Sequence, residues 1–464
     1  MKVVLGIDLG TTYFKCGLID SEGNLQGLGH IAVPTTTGNK SKSELEIGIF
    51  FYCVKSVIHA ACSQAQITPN DIKAISYSSQ ANSFLLLDRH CTPLTPIVLW
   101  SDFRADGLYP AVQELWAHPR FLEITGLGLR GKGFCLEKIL WLKDQYPAVW
   151  EETAHIMSIS DFFTFTMIDE TYGDCGTGSL IGLWDINRMT YWDDALRHLN
   201  LDRSLLSTLC TPGTYVGKTG MRAKEVFEIP EGIPFSVGSL DHHAAALGAG
   251  LDSIAPYSES MGTVLALLQS TNEFNPQQGC SIGPGAGRKK YYKLTFTNNG
   301  AISLEWYQKT HAPEMTLEEL NQKAALVPAG SNGVYALPSV NIYDELSGFM
   351  NINSYNAQQS LQHGHYVRSI MESVAGSFKE LMETLTGGDY PAAIVATGGG
   401  AKSDLWLQIL SDMSGVKFLT SKNEEPACIG AGLFAATTTG WFRSIDEIPA
   451  RSEEHTSELQ SLLI

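Results

Sequence analysis

The chain has 464 residues and a formal net charge of −17, from 49 acidic and 32 basic side chains. This excess of acidic groups argues against nucleic acids and anionic membrane surfaces as partners, because both select clustered cations. A hydrophobic content of 44% and a charged content of 17% indicate a globular chain, and the length predicts two large domains or three small ones.

The cysteines and the apolar segments bear on the compartment. Nine cysteines stand singly, with no C-x-x-C pair, which favours a reducing compartment over a disulfide framework or a zinc site. The N-terminal apolar run meets Asp8 too soon for a signal peptide, and no uncharged apolar stretch approaches the ~18 to 20 residues of a membrane span. We therefore predict a cytoplasmic protein with no membrane partner.

The first predicted elements are strands. They form a β-meander with tight turns, over residues 2–8, 13–19 and 25–33. Further strand patterns alternate with helical ones, at 72–77 and 83–87 for strands and at 45–61 and 136–142 for helices. Strands mixed with helices in this way predict an α/β fold.

A weaker form of the N-terminal strand-and-turn pattern recurs in the second half of the chain. Residues 257–270 place a Ser-Met-Gly-Thr turn between two strand-like segments, and the strand-like 391–397 precedes three glycines and a helical pattern at 403–413. The small residues 248–250 can act as a hinge. We predict an N-terminal domain over 1–250 and a C-terminal domain over 251–450.

The last residues, 451–464, continue no pattern before them. They resemble the translation of a sequencing adapter, and we expect a non-native tail that plays no part in function. Whether the natural C-terminus is missing stays open.

Two short segments place a carboxylate where phosphate chemistry needs one. In Gly-Ile-Asp-Leu-Gly-Thr-Thr, Asp8 ends a strand, and the turn after it exposes N–H and hydroxyl donors that can receive phosphate while the carboxylate holds Mg²⁺. Its alternative is an ordinary hairpin turn. Asp241 begins an alanine-rich helix, where it can serve as an N-cap, accept a proton, or do both.

Two glycine turns of the second half can contact a nucleotide. Gly262 and Thr263 offer a second small turn for phosphate, and residues 398–401 lack side chains that would block a flat ring. A plain strand-to-helix loop is the alternative for the latter. Two other motifs fail: 213–219 has one residue too few for a P-loop, and the G-x-G-x-x-G at 126–131 follows no strand.

Together these segments resemble the FGGY family of carbohydrate kinases, over residues 3 to about 448. Residues 136–150 (LEKILWLKDQYPAVW) are similar to a family signature of Lys, two apolar residues and Trp-Leu-Lys that ends in Pro and Trp. Four more segments resemble family elements in the same order: 160–162, 174–185, 397–409 and 430–436. Within the family the chain is most like the xylulokinases.

The resemblance implies an α/β fold of two actin-like, ribonuclease-H-like domains, with ATP in an interdomain cleft. It also implies the following roles: Asp8 holds Mg²⁺; Gly10, Thr11, Thr12, Gly262 and Thr263 lie near the phosphates; Gly399, Gly400 and Ala401 lie under the nucleoside; Asp241 is the general base. The function implied is transfer of the ATP γ-phosphoryl group to a hydroxyl of a small sugar, above all a pentulose such as xylulose.

The sugar pocket is the part where the chain departs from its family. Gln80, Trp100, Asp102 and Arg104 stand in segments that resemble the sugar side, and we expect them to contact the ligand. Ala81, Asn82 and Ser83 replace the Met-His-Gly usual in xylulokinases, and Ser101 replaces an Asn.

These departures leave the acceptor open. The same chemistry on gluconate, glycerol, a deoxysugar or a heptulose is the first alternative, and a non-catalytic sugar- or nucleotide-binding homologue is the second. The partners expected are a small sugar or polyol and no nucleic acid, and a homodimer stays open.

Overall fold

The computed structural model describes residues 2–37, 41–131, 133–287, 289–343, 346–351, 361–421, 424–442, 445 and 456–459. The chain divides into two compact units. The first consists of Met1–Gly248, Ser270–Lys293 and Glu425–Pro449, and the second of Ala249–Gln269, Leu294–Glu424 and Ala450–Ile464. The two stretches 270–293 and 425–449, which the sequence analysis assigned to the C-terminal domain, thus lie in the first unit. The division at residue 250 stays a prediction.

The described strands are, in chain order, β1 (Val3–Leu9), β2 (Tyr13–Asp20), β3 (Leu25–Ala32), β4 (Thr36–Thr37), β5 (Ser43–Leu45), β6 (Ile72–Ser79), β7 (Phe84–Leu87), β8 (Ile97–Val98), β9 (His155–Ser158), β10 (Tyr172–Asp174), β11 (Trp184–Asp185), β12 (Thr190–Tyr191), β13 (Thr208–Cys210), β14 (Tyr215–Lys218), β15 (Pro234–Ser236), β16 (Ser239–Leu240), β17 (Tyr257–Met261), β18 (Leu265–Thr271), β19 (Ser281–Pro284), β20 (Tyr291–Thr297), β21 (Val334–Ala336), β22 (Phe349–Asn351), β23 (Ala393–Thr397), β24 (Lys417–Ser421) and β25 (Thr456–Leu459).

The described helices are α1 (Ile47–Gln64), α2 (Pro110–Ala117), α3 (Phe121–Thr125), α4 (Cys135–Gln145), α5 (Pro147–Glu152), α6 (Ile159–Ile168), α7 (Cys175–Gly178), α8 (Asp193–His198), α9 (Met221–Phe227), α10 (Asp241–Gly248), α11 (Ile302–His311), α12 (Leu317–Ala325), α13 (His363–Thr386), α14 (Asp404–Ser414) and α15 (Pro426–Ala436).

The main sheet of the first unit begins with the predicted meander. Its strands lie in the order β14, β15, β6, β1, β2, β3, and β16 also pairs with β6. The strand β1 is antiparallel to β2 and parallel to β6, so Asp8 lies opposite both Lys15 and Ser78. The strand β16 is also parallel to β6. The carboxyl ends of β1, β6 and β16 therefore meet at one edge of the sheet.

The helix α1 is long and apolar enough to cross a membrane by length and composition, a finding that the sequence analysis did not anticipate. Seven of its side chains are nevertheless buried, among them Phe50, Val54 and Ile58, and they belong to the hydrophobic core of the first unit together with residues of β1 and β6. This is the placement of a core helix, whose apolar face covers a sheet.

The small-residue helix α15 joins distant parts of the first unit. A Cβ added to Gly6 of β1 would lie within 3.0 Å of the backbone of α15 at Cys428, and one added to Gly430 would lie as close to the backbone of Ala244 in α10. Real side chains essentially never approach so closely, so only glycine allows these contacts. The helix α15 thus packs against β1 on one side and α10 on the other, which explains why 425–449 belongs to the first unit.

The second unit contains neighbouring strands in the order β18, β17, β23, β24, β25. The strand β17 is antiparallel to β18 and parallel to β23, so β17 and β23 end at the same edge. Of the predicted tail, only Thr456–Leu459 is described, as a strand antiparallel to β24. The rest of 451–464 lies outside the described residues, and its non-native origin stays a prediction.

Candidate active site

Asp8, near the end of β1, is an almost buried carboxylate. It is 8% exposed, and the Ser78 hydroxyl donates a hydrogen bond to its Oδ1 at 2.8 Å. Burial raises the pKa of Asp8 to about 7; the Ser78 hydrogen bond opposes this rise, the negative charge of Asp241 adds to it, and the Lys15 ammonium opposes it. A carboxyl group whose pKa is raised this far by burial is a candidate for a functional site.

Asp241 is the first residue of α10 and directly follows β16. Because β16 and β1 flank β6 and run parallel to it, the two acidic residues emerge at the same edge of the sheet. The negative charge of Asp241 contributes to the raised pKa of Asp8, as expected for two carboxylates within electrostatic reach of each other. The Asp241 side chain is half-buried, and its Oδ1 accepts a hydrogen bond from the N–H of His242 at 2.7 Å.

The histidine two residues beyond Asp241 belongs to the packing of α10. His243 is 3% exposed, its Nδ1 lies 3.2 Å from the Ser239 hydroxyl, and its ring meets that of Tyr292 edge-on with centroids 4.9 Å apart. Burial lowers the pKa of His243 to about 3, so it is neutral at physiological pH. The described residues contain no group of three or more His, Cys, Asp or Glu side chains that could hold a metal ion.

Gln80 fixes the turn that follows Asp8. Its side-chain amide donates to Gly10 O at 3.1 Å, and its Oε1 accepts from the hydroxyls of Ser83 at 2.9 Å and Thr11 at 3.4 Å. Gln80 is 3% exposed, whereas Thr11 is half-buried and Thr12 is exposed. The side-chain amide of Gln80, which was expected to contact the sugar, therefore binds the turn that was expected to contact phosphate.

Trp100 lies beside the same turn. Its indole Nε1 donates to the Thr11 hydroxyl at 2.7 Å, and 39% of the residue is exposed. Asp102, by contrast, is 1% exposed and accepts hydrogen bonds from Ser43 N at 2.8 Å and Arg104 Nε at 3.0 Å. Of the four sugar-side candidates, Trp100 is thus the one that presents an open face.

Arg104 is held between two carboxylates and an aromatic ring. Its guanidinium bonds Asp102, donates from Nη2 to Glu44 Oε1 at 2.8 Å, and lies 4.8 Å from the ring centre of Trp141. These contacts leave Arg104 about one-sixth exposed, at 17% of its side chain. Arg104 can therefore reach a ligand only with its remaining donors.

In the second unit, the two predicted glycine turns lie together because β17 and β23 are parallel neighbours. A Cβ on Gly398 would strike the Met261 backbone and one on Gly400 would strike its side chain, whereas Gly262 and Gly399 face open space. The N–H of Ala301 supports the turn from below by donating to Gly262 O at 2.8 Å. Ala401 continues the second turn into α14, for which Ser403 is the N-cap.

The strand that leads into Gly262 carries a carboxyl group that the sequence analysis did not single out. Glu259 is fully buried, and neither of its oxygens has a hydrogen-bond partner among the described residues. Burial raises the pKa of Glu259 well above its usual value and so favours the neutral form of the carboxyl group. Ser78 was also missed, although its place on the strand parallel to β1 follows from the sheet order.

The structure thus gathers the predicted residues into two sets, one in each unit. The first set contains Asp8, the turn at 10–12, Gln80, Trp100 and Asp241, with Asp102 and Arg104 more deeply engaged in ion pairs. The second set contains Gly262, Thr263, Gly399, Gly400 and Ala401. Phosphoryl transfer depends on positioning of the reactants and on neutralisation of charge, and carboxylates at a strand edge and open glycine turns are suited to these tasks.

Comparison with known proteins identifies the class to which this site belongs. Residues 3–248 match the model of the N-terminal domain of the FGGY family of carbohydrate kinases, and residues 267–439 match that of its C-terminal domain. The chain therefore belongs to the FGGY family of carbohydrate kinases. It is an ATP-dependent carbohydrate kinase that acts on a small sugar, and the predicted α/β fold of the two-domain, actin-like type is confirmed.

The individual relatives act on more than one acceptor. The xylulose kinase of Bacillus subtilis (strain 168) is 28% identical over 455 residues, which are 96% of this chain and 90% of the relative. Ligand-bound xylulose kinase from Lactobacillus acidophilus has a TM-score of 0.84 at 20% identity, covering 99% of this chain and 94% of that one. Plasmodium falciparum glycerol kinase with ADP has a TM-score of 0.82 at 19% identity, covering 100% and 94%.

Proposed function

We propose that this kinase transfers the γ-phosphoryl group of MgATP to a hydroxyl of a pentulose such as xylulose. The names of its relatives support the pentulose, and the replacement of the usual Met-His-Gly by Ala81, Asn82 and Ser83 keeps gluconate, glycerol, a deoxysugar or a heptulose as the alternative acceptors. The fold does not choose between them, because xylulose and glycerol kinases match it nearly equally well. We also propose a cytoplasmic location.

The observation that carries the proposal is the convergence of Asp8 and Asp241 at one edge of the first sheet. In the proposed reaction, Asp241 accepts the proton of the sugar hydroxyl as the hydroxyl oxygen attacks the γ-phosphorus, and the bond from the γ-phosphorus to the bridging oxygen breaks to release ADP. Asp241 lies in the first turn of α10, where the helix dipole is favourable to a negative charge. The proton therefore has an acceptor within the same unit that binds the sugar.

Asp8 is the proposed support for the magnesium ion. Ser78 occupies its Oδ1, and no hydrogen bond reaches its Oδ2 from the described residues. One or two carboxylates, together with water and phosphate oxygens, are the usual environment of Mg²⁺ in phosphoryl-transfer sites. When bound, the ion neutralises charge on the phosphates, and it offsets the cost of burying the Asp8 carboxylate.

The other site residues of the two units are assigned to the phosphates, the nucleoside and the sugar. We propose that Gly10, Thr11 and Thr12 of the first unit and Gly262 and Thr263 of the second bind phosphate oxygens, and that Gly399, Gly400 and Ala401 lie under the nucleoside. Gln80, Trp100, Asp102 and Arg104 form the proposed sugar side. Trp100 offers an apolar face for the carbon skeleton, and Arg104 supplies donors for hydroxyl oxygens.

Replacement of the base tests the function. Asp241→Asn keeps the size of the side chain but removes the proton acceptor, so kcat should fall by about 10² to 10⁴-fold while ATP binding persists. Asp193→Asn is a matched control, because Asp193 also begins a helix, α8, and is exposed. Coupled ADP release is measured over pentuloses, hexoses, aldonates and polyols. Unchanged turnover in Asp241→Asn on the preferred acceptor would remove the mechanism.

A further inference from the structure

The family-like segment 136–150 has no role in the proposed chemistry, yet its helix α4 contacts three parts of the sugar side. The ammonium of Lys138 donates to Asn82 O at 3.0 Å and to Leu99 O at 2.8 Å. One turn later, Trp141 lies under the guanidinium of Arg104. Lys138 and Trp141 are three residues apart and so share one face of the helix.

The two carbonyls that Lys138 binds belong to separate segments of the sugar side. Asn82 lies two residues after Gln80, and Leu99 directly precedes Trp100. A hydroxyl links the same segments on the other side, since Ser83 accepts from Trp100 N at 2.9 Å and donates to Gln80 Oε1. The ammonium and this hydroxyl therefore fix the separation of the segments that carry Gln80 and Trp100.

The start of α4 adds a third connection. Asn82 has a positive φ of 59°, and its side-chain Oδ1 accepts a hydrogen bond from the N–H of Cys135, the first residue of α4, at 3.2 Å. This bond satisfies one of the free N–H groups of the helix end. Asn82 is thus bound to the helix through both its backbone and its side chain.

Burial of the lysine makes these bonds strong and their loss costly. Lys138 is 2% exposed, and burial of an ammonium is costly unless hydrogen bonds compensate for the lost water. Burial lowers the pKa of Lys138 to about 8, while Cys135, Asp102 and Asp106 oppose this and Arg104 adds to it. The side chain is therefore still mainly charged at neutral pH, and charge-assisted hydrogen bonds are the stronger kind.

We propose that Lys138 is a positioning residue for the sugar, which holds the Gln80 and Trp100 segments at the separation that the acceptor requires. This inference rests on the proposed function, because it takes these two residues as the sugar side. Lys138 itself touches neither sugar nor nucleotide. Its effect should appear in the KM for the sugar and leave the KM for ATP unchanged, whereas a general loss of structure would affect both substrates.

The test compares Lys138→Met with Lys143→Met. Methionine keeps the length and apolar stem of lysine without its N–H donors, and Lys143 is a matched control on the same helix that donates to the carbonyl of Asn200 at 2.7 Å, away from the sugar side. We expect the sugar KM of Lys138→Met to rise at least tenfold, with the ATP KM within twofold of the wild type. Lys143→Met should leave both values unchanged.

A second variant guards against failure of Lys138→Met to fold, because that change leaves two buried carbonyls without a donor. Trp141→Leu removes the ring under Arg104 and the edge-on contact of that ring with Tyr146, and it should raise the sugar KM about threefold with the ATP KM unchanged. An unaltered sugar KM in whichever variants fold, or an equal rise for both substrates, would overturn the inference. If the wild type phosphorylates no sugar, the proposed function itself is wrong, so the two failures are distinguishable.

Discussion

The hydroxyl of Ser78 donates a hydrogen bond to Oδ1 of Asp8 at 2.8 Å from the neighbouring parallel strand. This bond stabilises the carboxylate form, while burial and the negative charge of Asp241 favour the protonated form. With a pKa of about 7, the charge of Asp8 at neutral pH is therefore sensitive to either neighbour.

Substitution of Ser78 and substitution of Asp241 should shift the pKa of Asp8 in opposite directions. Ser78→Ala removes the bond that lowers the pKa of Asp8, and Asp241→Asn removes the charge that raises it. Because Mg²⁺ binds the ionised carboxylate, the pH midpoint of Mg²⁺ binding should rise by on the order of one unit in Ser78→Ala and fall in Asp241→Asn. Calorimetric titration with Mg²⁺ between pH 5.5 and 8.5 measures both shifts; two shifts of the same sign would contradict this account.

The close contact between α15 and α10 predicts a severe effect of one methyl group. In Gly430→Ala the new Cβ would overlap the backbone of Ala244, so the helices must separate, at a cost of about 1 to 3 kcal/mol or more. The displaced α10 carries Asp241, and kcat should fall with stability. Gly48→Ala on α1 is the control, because its Cβ has nothing within 4 Å and helical Ala is favoured by up to about 1 kcal/mol. Chemical denaturation and turnover are measured on both, and equal stability of the two variants would exclude the packing argument.

Gly399 allows the nucleoside role to be tested without disturbing the fold. Its backbone is in the ordinary right-handed helical region, and an added Cβ would meet nothing within 4 Å. Gly399→Ala should therefore keep the melting temperature of the wild type but raise the KM for ATP about tenfold, equivalent to about 1.4 kcal/mol.

The neighbouring Gly400→Ala is the contrasting variant, since its Cβ would strike the Met261 side chain and lower stability as well. An unchanged KM for ATP in Gly399→Ala would mean that the nucleoside lies elsewhere.

Replacement of the buried Glu259 should increase the stability of the protein, and the increase should depend on pH. Its folded-state pKa is far above the ordinary 4.5 of an unfolded chain, so the folded state binds the extra proton and loses relative stability as the pH rises above 4.5. Glu259→Leu removes this loss together with the unpartnered oxygens. Its free energy of unfolding should exceed that of the wild type at pH 8, by about 1 to 3 kcal/mol, and less so at pH 5. Glu380→Leu, at an exposed position of α13, should show no such pH dependence in the same denaturation series.

The positions of strands could be predicted where apolar runs are separated by turn residues. The neighbour of each strand in the sheet could not. The meander β1 to β3 lies within one residue of its predicted bounds, because glycine and polar turns separate its apolar runs. The two-residue strand β16, which brings Asp241 beside β6, is too short to leave a periodic pattern. The burial of Glu259 was equally invisible, since a carboxylate in a strand pattern predicts an exposed position.

The remaining differences between the predicted and the observed fold arise where a helix packs against residues distant in the chain. Residues 426–436 form a helix of small residues, and its glycines allow close packing. The sequence pattern could not show that its partners are Gly6 and Ala244, which lie far earlier in the chain. For the same reason the sequence analysis assigned 425–449 to the C-terminal domain. The roles of the site residues stay predictions that the experiments above address.

The packing of α15 also determines when, during synthesis, the first unit can be finished. Domains generally fold as the ribosome releases them from the N-terminus onwards, but β1 and α10 both pack against a helix that begins only at Pro426. The whole of the second unit's main segment, Leu294–Glu424, leaves the ribosome before that helix does. A nascent chain thus carries Asp8 from the start, and Asp241 from residue 241 onwards, without their common support until Pro426 has been made, so it has both acidic groups well before it has a finished enzyme.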